Sequence, residues 1–282
     1  MEHLSLRRCI YDRGLKALLY FCGILTCALL AFLIIYVFYR GLSGINWEFL
    51  TSQRSYINNT DGIFPNILNT LYIIFLAMII VLPLGVGAAI YLTEYAENRK
   101  LVAVIEFATE TLTGIPSITF GLVGMLVFVQ LCGMGTGILA GGLTLVVMIL
   151  PTIVRTTQES LKTVPQSYRE GALGLGAGKW RTVRTVVLPN AVDGIVTGCI
   201  LAVGRIVGES AALLFTAGMG VTLNGFLKAL HAPSGTLSVT LYLYATEYAN
   251  VRVALAIAAI PMIITLIINL SAMLVGRKLK KN

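Results

Sequence analysis

The stretch YREGALGLGAGKWRTVRTVVLPNA, Tyr168 to Ala191, decides how this chain is read. It is glycine-rich and basic, yet it lies between two long apolar runs. Its GAGKW segment invites comparison with a phosphate-binding loop. That loop needs G-x-x-x-x-G-K-[ST], so that backbone amides cradle phosphate and a hydroxyl holds magnesium. With Gly178-Lys179 as the GK pair, the first glycine position is Leu173 and the hydroxyl position is Trp180. Both requirements fail, so the segment does not bind ATP in that way. A structural reading fits better. Thr163 to Gln166 matches a capping box, with Pro165 in the tolerant first turn. A short helix through Tyr168, Arg169, Glu170, Gly171 and Ala172 then stops at Gly174 and Gly176. A second helix is expected from about Lys179 to Leu188, before Pro189, with Trp180 at the lipid headgroups and Val183, Val186 and Val187 facing inward. A short helix held between two flexible ends suits docking in a partner's groove.

The flanking composition places this segment beside a membrane. The chain is 57% hydrophobic and 12% charged, with a mean hydropathy of +0.84. A soluble domain carries roughly a quarter charged residues, which excludes a soluble enzyme and intrinsic disorder. The net charge of +8 is no nucleic-acid signature, because the basic residues fall in the gaps between apolar runs. Five cysteines without CxxC spacing and two isolated histidines, His3 and His231, offer neither a disulfide framework nor a metal site.

Runs without charge span Ala17–Tyr39, Gly62–Thr93 and Val253–Gly276, each longer than the roughly 20 residues that cross the hydrocarbon. The run Thr111–Val154 would be about 66 Å as one helix, twice the bilayer core, so it must fold back. CGMGTG, Cys132 to Gly137, supplies the turn. A fifth run, from about Ala191 to Phe215, is interrupted by Arg205 and Glu209. Six spans result, and the first is too long for a cleaved signal segment.

Sixteen of the basic residues lie on one side if the spans alternate: Arg7, Arg8, Arg13, Lys16, Arg99, Lys100, Arg155, Lys162, Arg169, Lys179, Arg181, Arg184, Arg277, Lys278, Lys280 and Lys281. Four (Arg40, Arg54, Lys228 and Arg252) lie on the other. The positive-inside rule then puts both termini and the opening stretch in the cytoplasm. On the outer side, Trp47, Tyr56, Tyr242, Tyr244 and Tyr248 suit an aromatic belt at the membrane interface.

Glu170-Gly171-Ala172, Gly176 after three residues, and Val186-x-Leu188-Pro189 after nine more resemble the EAA loop of ABC importer permeases. That family has E-A-A, three residues, Gly, nine residues and I-x-L-P; here Gly171 stands for the middle Ala and Val186 for Ile. TGIPSITFGL (Thr113 to Leu122) and GRIVGESAALLFTAG (Gly204 to Gly218) are similar to the phosphate-specific permeases of the PstA type.

The resemblance implies an all-α integral membrane protein with the six-helix fold of type I ABC importer permeases. It implies a cytoplasmic segment 1–16, a first helix and external loop 17–65, a permease domain 66–276 with its EAA loop at about 160–189, and a tail 277–282. Tyr168, Arg169, Glu170, Gly171, Ala172 and Gly176 are then the ATPase-coupling residues. The implied partners are a PstC-type second permease subunit, two PstB-type ATPase subunits and an external PstS-type phosphate-binding protein. No cofactor or metal is bound by this chain, because ATP and magnesium belong to the ATPase. The implied location is a bacterial inner membrane, multi-pass, with lipid and no nucleic acid as surroundings.

Arg205 and Glu209 are the site residues on the transport side. A charge in mid-membrane is costly and faces protein or water. At 100° per residue, Gly194, Gly198, Ala202, Arg205, Glu209, Ala212 and Thr216 share one helical arc, a packing or pathway face. Arg205 offers an oxyanion a planar fork, and Glu209 either pairs with Arg205 or accepts a proton-bearing phosphate oxygen. A structural ion pair is the competing reading. Glu106 and Glu110, at the cytoplasmic start of the third span, and Asp193 are read as first-turn acids serving the helix dipole. The alternatives for the whole chain are a permease for molybdate or sulfate, or a proton-coupled secondary transporter, which predicts inverted repeats. The motifs of an intramembrane enzyme are missing from the sequence.

Overall fold

Every apolar run forms a helix, the one local structure that satisfies its own backbone groups in lipid. The computed structural model describes residues 6–55 and 60–280. Among them, five helices are long and apolar enough to cross a membrane: Tyr11–Leu42, Phe64–Tyr95, Ile138–Thr163, Lys179–Gly208 and Val251–Leu274.

The centre is built from α3 (Phe64–Ile90), α6 (Ile138–Thr163) and α9 (Leu188–Gly208). Ile73, Ala77 and Val81 on α3, Leu145, Ile149 and Ile153 on α6, and Ala202 and Ile206 on α9 are buried together. Their four-residue spacing keeps one face of each helix on the common core. Helix α1 (Leu6–Leu42) stays outside this core. It exposes Leu18, Phe21, Leu25 and Phe32 and packs on α13 (Val251–Lys280), where Gly41 lies against the Leu255 carbonyl.

A sixth crossing exists only as a bent pair. Helix α4 (Arg99–Thr113) and α5 (Ser117–Gly124), which a π-helical stretch Met125–Leu131 prolongs, meet at 100°. The corner is Gly114-Ile115-Pro116, where Pro116 has no N–H to donate and crowds the helical conformation of Ile115. The expected third span therefore starts at Ser117, not near Thr111. The turn expected at Cys132 to Gly137 lies where the spacing put it, between Leu131 and Ile138.

The end of the bundle at which α3 begins and α9 ends carries α2 (Trp47–Thr51), an antiparallel hairpin of β1 (Gln53–Ser55) and β2 (Thr60–Ile63), and the loop after α9 with α10 (Ala211–Thr216), α11 (Phe226–Ala229) and α12 (Leu237–Thr246). This loop is anchored to the bundle. Asn66 and Asn69 of α3 both donate to the Gly235 carbonyl, at 2.8 and 3.1 Å. The aromatic belt needs correction here. Trp47 and Tyr242 are exposed, but Tyr244 is buried, and its hydroxyl donates to Asp61 at 2.7 Å. Burial, then the Asp61 partner, push that hydroxyl above its ordinary pKa range, so it remains a donor. Arg54 lies over the Tyr244 and Tyr248 rings at 4.9 and 4.2 Å. Tyr56 lies outside the described residues.

Candidate functional site

The residues expected to act lie in two regions: the helix after α6 and the charged end of α9. The capping box is not formed. Thr163 Oγ1 donates back to the Ser160 carbonyl at 2.7 Å, and the residue preceding the new helix is Pro165. Val164 is extended, as a residue before proline prefers, and this breaks the chain direction after α6. Helix α7 then runs Gln166–Gly174 and stops as the glycines predict. Gly176 has φ +83°, its N–H donates to the Leu173 carbonyl at 2.9 Å, and the Ala177 N–H donates to the Ala172 carbonyl at 3.1 Å. This is a Schellman stop with glycine in the left-handed position.

The second helix is longer than expected. Helix α8 (Lys179–Thr182) passes through a π-helical turn, Val183–Val187, straight into α9, so Pro189 does not end it. The wider π turn makes room for the proline ring one residue into α9. The Asn190 side chain donates to the Val186 carbonyl at 2.6 Å. Val183 and Val187 are buried, Val186 is partly so, and Trp180 is exposed.

Helix α7 is exposed nearly all round. Tyr168, Glu170, Gly171 and Leu173 are exposed, and Leu175 just beyond the helix is 91% exposed. A Cβ at Gly171 or Gly174 would meet nothing within 4 Å, so this chain's own packing does not require glycine there. Arg169 is the exception, with its side chain 13% exposed. It forms a salt bridge at 2.7 Å with Glu94, which is 9% exposed in the π-helical turn Tyr91–Tyr95 that ends α3. Of the six coupling residues, Arg169 is thus held inside the chain. Glu94 was not anticipated. Its only sequence signal is an isolated acid directly after an apolar run.

At the other end, α9 stops at Gly208, and Glu209 is extended with φ −78° and ψ 121°. Arg205 and Glu209 therefore do not share a helix, and among the described residues no ion pair joins them. Glu209 is 8% exposed, and its Oε1 accepts the Ala212 N–H at 3.1 Å, which caps α10. The stripe of small residues is divided accordingly. A Cβ at Gly194 would strike Ser160 and one at Gly198 would strike Thr156, so that half packs on α6. Ala212 lies against Gly121 of α5, after the break. The open face of α9 is rotated from this stripe. It comprises Asp193, Thr197, Leu201, Gly204 and Gly208, and a Cβ at Gly204 or Gly208 would meet nothing within 4 Å; Arg205 is partly buried at the edge between this face and the stripe.

The remaining acids are not first-turn residues. Glu106 sits in the middle and Glu110 in the last turn of α4, and they pair across to α6, with Lys162 at 3.2 Å and Arg155 at 3.4 Å. Both pairs are exposed and contribute no more than about 1 kcal/mol each. Asp193 lies well inside the continuous helix Lys179–Gly208.

Residues 82–281 match the family described as the binding-protein-dependent transport system inner membrane component. A probable ABC transporter permease protein of Bacillus subtilis, YqgI, is 36% identical over 290 residues, covering 98% of each chain. The phosphate transport system permease protein PstA of Xylella fastidiosa is 38% identical over 178 residues, 63% of this chain and 62% of that protein. Among solved structures, a chain of a bacterial alginate ABC transporter in complex with an alginate-pentasaccharide-bound periplasmic protein superposes with a TM-score of 0.69. It is 15% identical and covers 98% of both chains. An inward-facing MetNI methionine ABC transporter chain gives 0.59 at 21% identity, over 77% of this chain and 94% of that one. These two share the fold.

Proposed function

From the premise that this chain belongs to the inner membrane components of binding-protein-dependent transport systems, we propose that it conducts inorganic phosphate inward. It is a multi-pass permease subunit of an ABC importer, and ATP hydrolysis belongs to a separate subunit. The observation that carries the coupling role is the exposure of α7 nearly all round. Its exposed Tyr168, Glu170 and Leu173 and its glycines, unneeded by the chain's own packing, suit a groove on another protein. A PstB-type ATPase is the proposed owner of that groove. A PstC-type permease subunit would complete the pathway, and a PstS-type protein would deliver the anion from outside.

The phosphate reading is supported by the likeness to phosphate permeases of several bacteria. Arg205, the sole basic residue of α9, is partly buried at the edge of that helix's exposed face. A guanidinium there can hold two phosphate oxygens at once, which a lysine cannot. Glu209 takes the role of fixing the helix break beside that cation.

The test is reconstitution. Copurified with its associated subunits in vesicles, the chain should take up labelled phosphate only with ATP and the binding protein, unaffected by excess sulfate or molybdate. Uptake of sulfate or molybdate in place of phosphate would reject the substrate but not the importer. Uptake driven by a pH gradient without ATP would reject both.

The orientation follows from the positive-inside count, and it has its own check. Cys132 is exposed in the turn between α5 and α6. In a variant with Cys132 as its only cysteine, a membrane-impermeant maleimide should label right-side-out vesicles and not inverted ones. The reverse pattern would invert the topology.

A further inference from the structure

Helix α7 contains no buried residue. Among the described residues, its side-chain hydrogen bonds to the rest of the chain are all made by Arg169. A helix that receives a push from another protein must pass it on, and α7 has little packing with which to do so. Its two ends are a proline corner and a glycine stop, both poor levers.

Arg169 supplies what the packing lacks. Nε donates to both Glu94 oxygens at 3.1 and 3.2 Å, and Nη2 donates to Glu94 Oε1 at 2.7 Å. Nη2 also donates to the Leu161 carbonyl at 2.9 Å, and Nη1 donates to the Val164 carbonyl at 2.7 Å. Those two carbonyls belong to the open end of α6, where intrahelical donors run out. One guanidinium therefore ties α7 to the end of α6 and, across 75 residues of sequence, to the end of α3. Directly beneath, Ala89, Ile90 and Leu92 from the α3 segment, Val154 and Leu161 of α6, and Val183 and Val187 form a buried apolar cluster. The anchor points are thus part of a packed body, and the fork geometry leaves the guanidinium no freedom to swing.

We propose that Arg169 and Glu94 are positioning residues that make α7, the end of α6 and the end of α3 move as one body, so that ATPase movement reaches the two central helices. Arg169 acts on the inner side of the coupling loop, not on the ATPase surface. The inference rests on the reading of α7 as the ATPase-docking helix, and the two can fail separately.

The experiment uses the whole importer in vesicles, with Arg169→Lys, Glu94→Gln and the double change Arg169→Gln with Glu94→Gln. The double change leaves no unpaired buried charge. The ATPase should still copurify and hydrolyse ATP, while phosphate moved per ATP falls roughly tenfold or more, in the range of a lost coupling free energy. Normal transport per ATP in the double variant would overturn the proposal and leave a merely structural pair. Loss of the copurified ATPase would also overturn it, by placing Arg169 in the docking surface. A second measurement needs no change at the pair. Spin labels at Tyr91 and Gln166, both exposed, should keep a constant separation between ATP-bound and nucleotide-free states. A separation that changes with nucleotide would show that α7 moves independently of α3. If α7 proves not to dock an ATPase at all, copurification with the unaltered chain fails first, and the docking reading falls before this one is reached.

Discussion

Arg205→Gln should reduce ATP-driven phosphate uptake by roughly a hundredfold or more while the assembled importer and binding-protein docking persist. That magnitude corresponds to about 2–5 kcal/mol, the cost of truncating one partner of a desolvated, hydrogen-bonded charge pair. On the proposed reading, the phosphate is the other partner. Arg205→Lys retains part of the activity, because the charge stays while the bidentate fork is lost. The companion variant is informative because of what Glu209 does. If Arg205 served only to neutralise Glu209, adding Glu209→Gln to Arg205→Gln would restore transport. Glu209 lies past the helix end, is not ion-paired to Arg205, and accepts the Ala212 N–H through one oxygen. A glutamine keeps that acceptor, so the cap on α10 survives and the double variant should assemble. It should also fail to transport. Recovery of uptake in the double variant would remove Arg205 from the pathway.

The second large effect is expected at Gly176. At φ +83° a side chain there is strained by roughly 1–2 kcal/mol. The Schellman stop sets the direction in which α7 hands over to α8, so Gly176→Leu changes that exit angle as well as the local stability. The variant should insert in the membrane, lose the copurified ATPase and lose ATP-driven uptake. Glu170→Lys, which inverts a charge on the exposed face, should do the same without disturbing the backbone. Gly171 provides the internal control. A methyl group there meets nothing in this chain, and alanine favours the helix by about 1 kcal/mol over glycine. Gly171→Ala should therefore dock and transport, whereas Gly171→Trp should fold and fail to dock. Normal transport by Gly176→Leu with the ATPase still attached would show that α7 is not the coupling element.

The long apolar helices, the turn at Cys132 to Gly137 and the short helix with its glycine stop were legible in the sequence because each is a local property. An apolar run in lipid must close its hydrogen bonds within itself. A glycine at the end of a short polar helix marks a backbone position that other residues resist. The short helix could be read for a further reason: all of its residues but Arg169 and Ala172 are exposed, so this chain's own packing imposes little that would obscure their spacing. Where the reading failed, a partner distant in sequence or a change in helix register had intervened. Pro189 was taken as a helix end, but the π turn before it absorbs the ring. Arg205 and Glu209 were set on one arc, but the helix breaks between them, because the Glu209 carboxylate caps the next helix instead of completing the previous one. Glu106 and Glu110 were assigned to a dipole, but α6 presents basic residues across from them. Arg169 was placed with the outward residues of its motif, because nothing in that motif records that Glu94 waits 75 positions earlier. Hydropathy and spacing determined where the long apolar helices and the short polar helix with its glycine stop lie. Which charges lie inside, and against what, was decided only by the packing of α3, α6 and α9, since a buried charge takes its partner from whichever element the fold brings within hydrogen-bond reach.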